Sequence, residues 1–231
     1  MSQTNNKFNK KGFTLAEVLI TLGIIGVVAA LSIPTLVNFF QDKANEVAFK
    51  KMYSNLSNAI KEVTQENGGL AYQCFYVYPT ISAKDTECKT FYDSVLNKMG
   101  ASKECKNGVS SGCQPQYKNM DTVLSDGGET YATDCATSRG SHVSTKTSYI
   151  LPDGSMILSY YSTSYLSGFY NSPLFIIDTN GFKRPNKWGY DVFVLAFYTK
   201  SDNPNNVYLS DRYCWIHEKG GKRINDILLG K

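Results

Sequence analysis

Histidine is scarce in this sequence, and its two copies, His142 and His217, stand far apart without metal-ligand spacing. No Cys-x-x-Cys pair occurs, which removes thioredoxin-like redox chemistry and zinc knuckles from consideration. The phosphate-cradling pattern G-x-x-x-x-G-K-[S/T] is missing as well. Net charge is small: +4 in all, with Lys7, Lys10 and Lys11 supplying most of it. Beyond residue 12 there remain 21 bases against 20 acids, so the rest of the chain lacks the surplus that a nucleic-acid-binding domain shows. Gly108-Val109-Ser110-Ser111-Gly112 has the letters of a nucleophile elbow, but that motif needs a strand before it and a helix after it. Here it lies in polar sequence between Cys105 and Cys113, and we read it as a chance match. No catalytic constellation stands out, and neither an enzyme nor a cofactor is expected.

Charge is also absent from one long stretch. The 23 residues from Val18 to Phe40 carry none, enough helix to cross a hydrocarbon layer of about 30 Å. A secretory signal has a shorter apolar run, roughly 7–15 residues, ending at a small-residue cleavage site. Ala30-Leu31-Ser32 could serve as one, but the run continues past it. Lysines flank both ends (Lys7, Lys10 and Lys11; Lys43, Lys50 and Lys51), so positive charge alone does not orient the segment. Gly23, Gly26 and Pro34 interrupt it. Proline removes a helical hydrogen bond and kinks a helix, whereas small residues let helices approach closely in lipid.

After Phe40 the pattern becomes amphipathic. Phe49, Met52, Leu56, Ala59 and Val63 recur at alternating spacings of three and four, and Gly68-Gly69 is a stop signal. A helix over residues 14–67 would extend about 80 Å, too long for an ordinary globular helix. Its apolar stripe is expected to enter the core of a head domain. The six cysteines, Cys74, Cys88, Cys105, Cys113, Cys135 and Cys214, form an even set that suggests structural disulfides in an oxidising compartment. Fifteen pairings are possible, and sequence does not choose among them. Residues 68–147 read as a cysteine-rich loop region with one short helix at Phe91–Asn97. From residue 148 the chain reads as strands: 149–151, 156–158, 174–177 and 191–198, the first two joined by a turn at Pro152-Asp153-Gly154-Ser155. Four strands suffice for an antiparallel sheet on the helix. Asp178, Asn180 and Asp191 offer oxygen ligands, yet the loop they occupy departs from an EF-hand, so calcium stands beside an ordinary hairpin loop as an alternative. Lys183, Arg184 and Lys187 form the one compact basic cluster on an expected loop.

The junction Lys10-Lys11-Gly12-Phe13-Thr14-Leu15-Ala16-Glu17-Val18 resembles the processing site of type IV prepilins and type II secretion pseudopilins. The resemblance covers about residues 7–60. It implies a basic leader, residues 1–12, cut after Gly12 by a membrane prepilin peptidase, which also acts as methyltransferase, and N-methylation at Phe13. It implies a transmembrane and assembly helix over 13–40, continued amphipathically over 41–67. Glu17 would pair with the free N-terminal amine of a neighbouring subunit, and the stretch from Gly26 to Pro34 would be able to unwind in a filament. The fold it implies is α+β: a long N-terminal helix packed on an antiparallel sheet head spanning 148–231, with the variable region 68–147 stapled by disulfides. Asp178-Thr179-Asn180-Gly181 with Pro185-Asn186-Lys187-Trp188-Gly189-Tyr190-Asp191 resembles a loop of pseudopilin heads. The expected role is a structural subunit, anchored in the cytoplasmic membrane with its head outside and partnered by other pilin subunits. The alternative is a minor pilin acting as an adhesin or DNA-uptake receptor, disfavoured for nucleic acid by the near-neutral head.

Overall fold

The computed structural model describes residues 12–66, 81–131, 147–162, 173–200, 203–211 and 215–230. The chain divides into two compact units, Met1–Lys43 and Ala44–Lys231. One helix, α1 (Leu15–Glu66), runs through the boundary.

In the first unit the helix is apolar all round and exposed all round. Leu19, Ile20, Leu22, Ile24, Ile25, Val27, Val28, Leu31, Ile33, Leu36, Val37, Phe39 and Phe40 are all exposed. A helix hydrophobic on every side belongs in an apolar medium. This one is long and apolar enough to cross a membrane, and none of the qualifying stretch is buried within the chain. Gly23, Gly26 and Pro34 lie inside it, and the helical backbone continues through all three. Two of its hydroxyls are satisfied locally: Ser32 Oγ donates to the Val28 carbonyl at 2.7 Å and Thr21 Oγ1 to that of Val18 at 3.0 Å.

In the second unit α1 presents the stripe read from the sequence. Phe49, Met52, Leu56, Ala59, Ile60 and Val63 are buried in a cluster with Ile157, Phe175, Ile177, Phe193 and Leu195. Those partners come from a six-stranded antiparallel sheet whose order is β1-β3-β4-β5-β6-β7. Its strands are β1 (Lys103–Cys105), β3 (Ser148–Ile150), β4 (Met156–Ser162), β5 (Pro173–Asp178), β6 (Val192–Lys200) and β7 (Asn203–Ser210). The four strands expected from sequence are β3 to β6, and they pair as a meander. The turn between the first two closes as expected, Leu151 N donating to Ser155 O at 2.9 Å.

The remainder of the head is richer than the sequence suggested. Helix α2 (Ile81–Lys98) is far longer than the short helix at 91–97, because its polar first half lacks the apolar period that marks its second. Phe91, Tyr92, Val95 and Leu96 join the α1 side of the core. Edge strand β1 comes from the region read as loop, and edge strand β7 was hidden by the Asn-Pro-Asn-Asn that opens it. Proline is tolerated at a sheet edge, where an N–H faces no partner strand. The other face of the sheet is also covered. Leu158, Leu174, Ile176, Val192, Val194 and Ala196 meet Val123 of α3 (Met120–Ser125), Trp188, and Ile216 of β8 (Trp215–His217). β8 pairs antiparallel with β2 (Glu129–Tyr131). A short helix α4 (Ile224–Leu229) contributes Ile224 and Ile227 to the α1 side. Burial on both faces explains why β5 and β6 read as continuous apolar runs rather than alternating ones.

Cys105 and Cys113 form a disulfide with Cα atoms 5.8 Å apart. The Gly108–Ser111 stretch between them is a 3-10 turn, with no helix following in the manner of a nucleophile elbow. Cys74, Cys135 and Cys214 lie outside the described residues, as does the Cys88 side chain on α2.

Candidate functional site

At the N-terminal junction, Gly12 and Phe13 precede the helix, and Phe13 is 88% exposed. Thr14 and Glu17 form a reciprocal capping box. Glu17 N donates to Thr14 Oγ1 at 3.2 Å, while Thr14 N and Thr14 Oγ1 both donate to Glu17 Oε2 at 2.8 Å. A hydroxyl and a carboxylate three residues apart satisfy donors that a helix start leaves open. Glu17 is exposed, so its carboxylate has approaches left beyond its two bonds to Thr14. A Cβ placed on Gly12, Gly23 or Gly26 would meet no heavy atom within 4 Å. Among the described residues, nothing in the chain's own packing requires glycine at these three positions.

The second site is the loop between β5 and β6. It is closed by two buried carboxylates, one at each end. Asp178 Oδ1 accepts from Asn180 N at 2.9 Å and Gly181 N at 2.7 Å. Asp191 accepts from Asn186 N at 2.8 Å and Lys187 N at 2.7 Å. Thr179 N donates to Asp191 O at 2.9 Å, and Asn186, with its amide nitrogen turned inward, donates to Gly181 O at 2.8 Å. Gly181 has φ +64°, and a Cβ there would collide with the Gly154 carbonyl. Gly189 is equally constrained, at φ +79° against His217. Tyr117 Oη donates to Asp178 Oδ2 at 2.6 Å, and Trp188 Nε1 donates to Lys118 O at 2.9 Å, so the segment before α3 braces the loop from beneath.

Burial raises the Asp178 carboxyl to about 7, against the opposing pull of the Tyr117, Asn180 and Gly181 donors. Burial likewise raises Asp191, opposed by the Lys187 and Asn186 amides, and raises the Tyr117 hydroxyl. Asp178, Asn180 and Asp191 are thus held in one loop. Their carboxylate oxygens are engaged by protein donors, and among the described residues no three His, Cys, Asp or Glu side chains converge as a metal site. Asn180 Nδ2 reaches Asn45 Oδ1 on α1 at 3.4 Å, while Asn180 Oδ1 is buried with no partner among the described residues. Between the clamps, Phe182, Lys183, Arg184 and Lys187 are exposed.

Comparison with known families bears on the N-terminal segment. Residues 7–33 match the prokaryotic N-terminal methylation motif. The chain has a type IV prepilin-like N-terminus. No curated protein and no solved structure matches the chain. The motif is the hallmark of type IV prepilin-like and pseudopilin-like proteins. The α+β arrangement, a long apolar N-terminal helix with an antiparallel sheet and a disulfide, matches the pilin-like fold that the sequence implied. An exposed, membrane-length helix is consistent with anchoring in a membrane.

Two residues of this prepilin-like chain escaped the sequence reading. Thr14 stands in the quoted junction, and the T-x-x-E spacing with Glu17 is itself a cap signature. Tyr117 had no signal, because its partner Asp178 is 61 residues away. His217 packs its ring on Trp215 with 5.1 Å between centroids, a structural placement, and His142 lies outside the described residues.

Proposed function

We propose that this prepilin-like chain is a structural subunit of a type IV pilus-like filament or a type II secretion pseudopilus. The observation that carries the reading is the pairing of the methylation motif with a 13–40 segment that the fold leaves exposed. Apolar surface on that scale, at about 25 cal/mol per Å², is stable only in lipid or against other apolar helices. In this reading the peptidase cuts after Gly12, because a residue without a side chain fits an extended protease groove. Phe13 then becomes the N-methylated terminus. Glu17 pairs with the Phe13 ammonium of a neighbouring subunit, exchanging one partner of its capping box for an intermolecular charge. Gly23, Gly26 and Pro34 let neighbouring helices approach and let the helix yield there in the filament. The chain is held in the cytoplasmic membrane with its head outside until it is drawn into the polymer, and its partners are other subunits and the processing peptidase.

Intact-mass and N-terminal peptide analysis of protein extracted from native membranes tests this. A chain beginning at N-methylated Phe13 supports the proposal. A chain beginning near Ile33, or an uncut Met1, overturns it.

A further inference from the structure

The loop between the two carboxylate clamps presents chemistry that the filament reading does not use. Its only acids, Asp178 and Asp191, are fully buried, so every charge it shows to solvent is positive: Lys183, Arg184 and Lys187. Beside them Phe182 is 60% exposed, one of few large apolar side chains left open among the described residues of the head. An aromatic ring flanked by cations is the composition of a bilayer interface anchor: the ring enters the headgroup region and the cations meet lipid phosphates. Lys187 also lies over the Tyr190 ring, 5.6 Å from its centroid, which adds a second aromatic beside the cations.

Position agrees with composition. Asn180 reaches Asn45 at 3.4 Å, and Asn45 follows Phe40, the last residue of the apolar run, by five positions. Five residues span at most about 18 Å of chain. The helix residue that this loop touches is therefore joined to the end of the apolar run by only a short length of chain. It is also built to hold its shape. Four backbone amides bound to Asp178 and Asp191 bracket the tip, and Gly181 admits no side chain. A preorganised tip loses little conformational freedom on docking.

We propose that the Phe182–Lys187 tip docks the head on an anionic lipid surface while the chain is still membrane-anchored. The inference rests on the anchoring reading above, and its test separates the two. The full-length protein carrying Phe182→Trp is reconstituted in phosphatidylcholine vesicles with and without phosphatidylglycerol, alongside the unsubstituted protein as the background from Trp188 and Trp215. Flotation reports anchoring; quenching by lipids brominated near the headgroup reports docking. The expected result is flotation in both lipids, with a blue shift and quenching of residue 182 that strengthen with phosphatidylglycerol. Both signals are expected to be lost when Lys183→Glu and Lys187→Glu are added, with thermal unfolding unchanged. Flotation without quenching of residue 182, or quenching indifferent to the anionic lipid, overturns docking and leaves anchoring intact. Protection that appears only as protein concentration rises assigns the tip to a second copy, and a shift produced by duplex DNA in detergent but not by lipid assigns it to nucleic acid; either overturns the proposal. Failure to float overturns anchoring and the inference together.

Discussion

Tyr117 and Asp178 are 61 residues apart in the chain and 2.6 Å apart in space, the tyrosine hydroxyl donating to Asp178 Oδ2. This contact ties the cysteine-rich segment to the end of β5, at the root of the basic loop. Removing it leaves a buried carboxylate one donor short, which costs roughly 1–3 kcal/mol. Tyr117→Phe is expected to destabilise the protein by that amount in urea unfolding. It is also expected to move the Asp178 carboxyl further up, because the lost donor favoured the charged form. Carboxyl titration by NMR checks the direction; a downward shift would contradict the assignment.

Stability is expected to depend on pH through the same residue. Folding raises Asp178 from an ordinary carboxyl value to about 7. Protons are then bound more tightly by the folded state, so this contribution is fully present below about pH 4 and is lost as pH rises through 7. The swing is on the order of 4 kcal/mol. Asp178→Asn keeps an acceptor oxygen for the Asn180 and Gly181 amides and does not titrate, so its unfolding free energy should be flatter than the parent's between pH 4 and 8.

The Cys105–Cys113 disulfide closes a short loop at the end of β1, an edge strand. On chain-entropy grounds a loop this size contributes about 2.5 kcal/mol. Replacing both cysteines with serine should lower the urea midpoint accordingly, and hydrogen exchange should rise first in β1 and its pairing with β3. An unchanged midpoint would place the stabilisation elsewhere.

Thr14 and Glu17 separate two roles. Thr14→Val removes the hydroxyl from the capping box and should cost about 1 kcal/mol at the helix start. It leaves the carboxylate available to an intermolecular amine, so incorporation into filaments should persist. Glu17→Gln retains a capping group of similar shape but no charge; processing at Gly12 should continue while incorporation falls. Comparing the mass of the membrane-extracted chain with the amount in sheared filaments reads both. Equal loss in the two variants would make Glu17 a cap and nothing more.

Legibility in the sequence followed contiguity. The junction around Gly12 and Phe13, the apolar run and the stripe from Phe49 to Val63 are local patterns, and each appears where it was read. Strands β3 to β6 were legible because their apolar runs are bounded by turn residues. Strand β7 was not, since Asn203-Pro204-Asn205-Asn206 carries turn chemistry into an edge position. The first half of α2 was missed because helical propensity without an apolar period is a weak sign.

By itself the sequence determined the class of this protein: a prepilin-like leader junction, a helix apolar enough to cross a membrane, and an α+β head. These depend on neighbours within a few turns or strands, where spacing alone expresses the physics. Tertiary structure alone decided which cysteine meets Cys105, that the sheet is buried on both faces, and that Asp178 and Asp191 serve as clamps rather than surface charges. It also decided that Phe182 and its lysines stand exposed together. Each of these is a question of which distant groups exclude water from one another, and burial of that kind comes only with the folded chain.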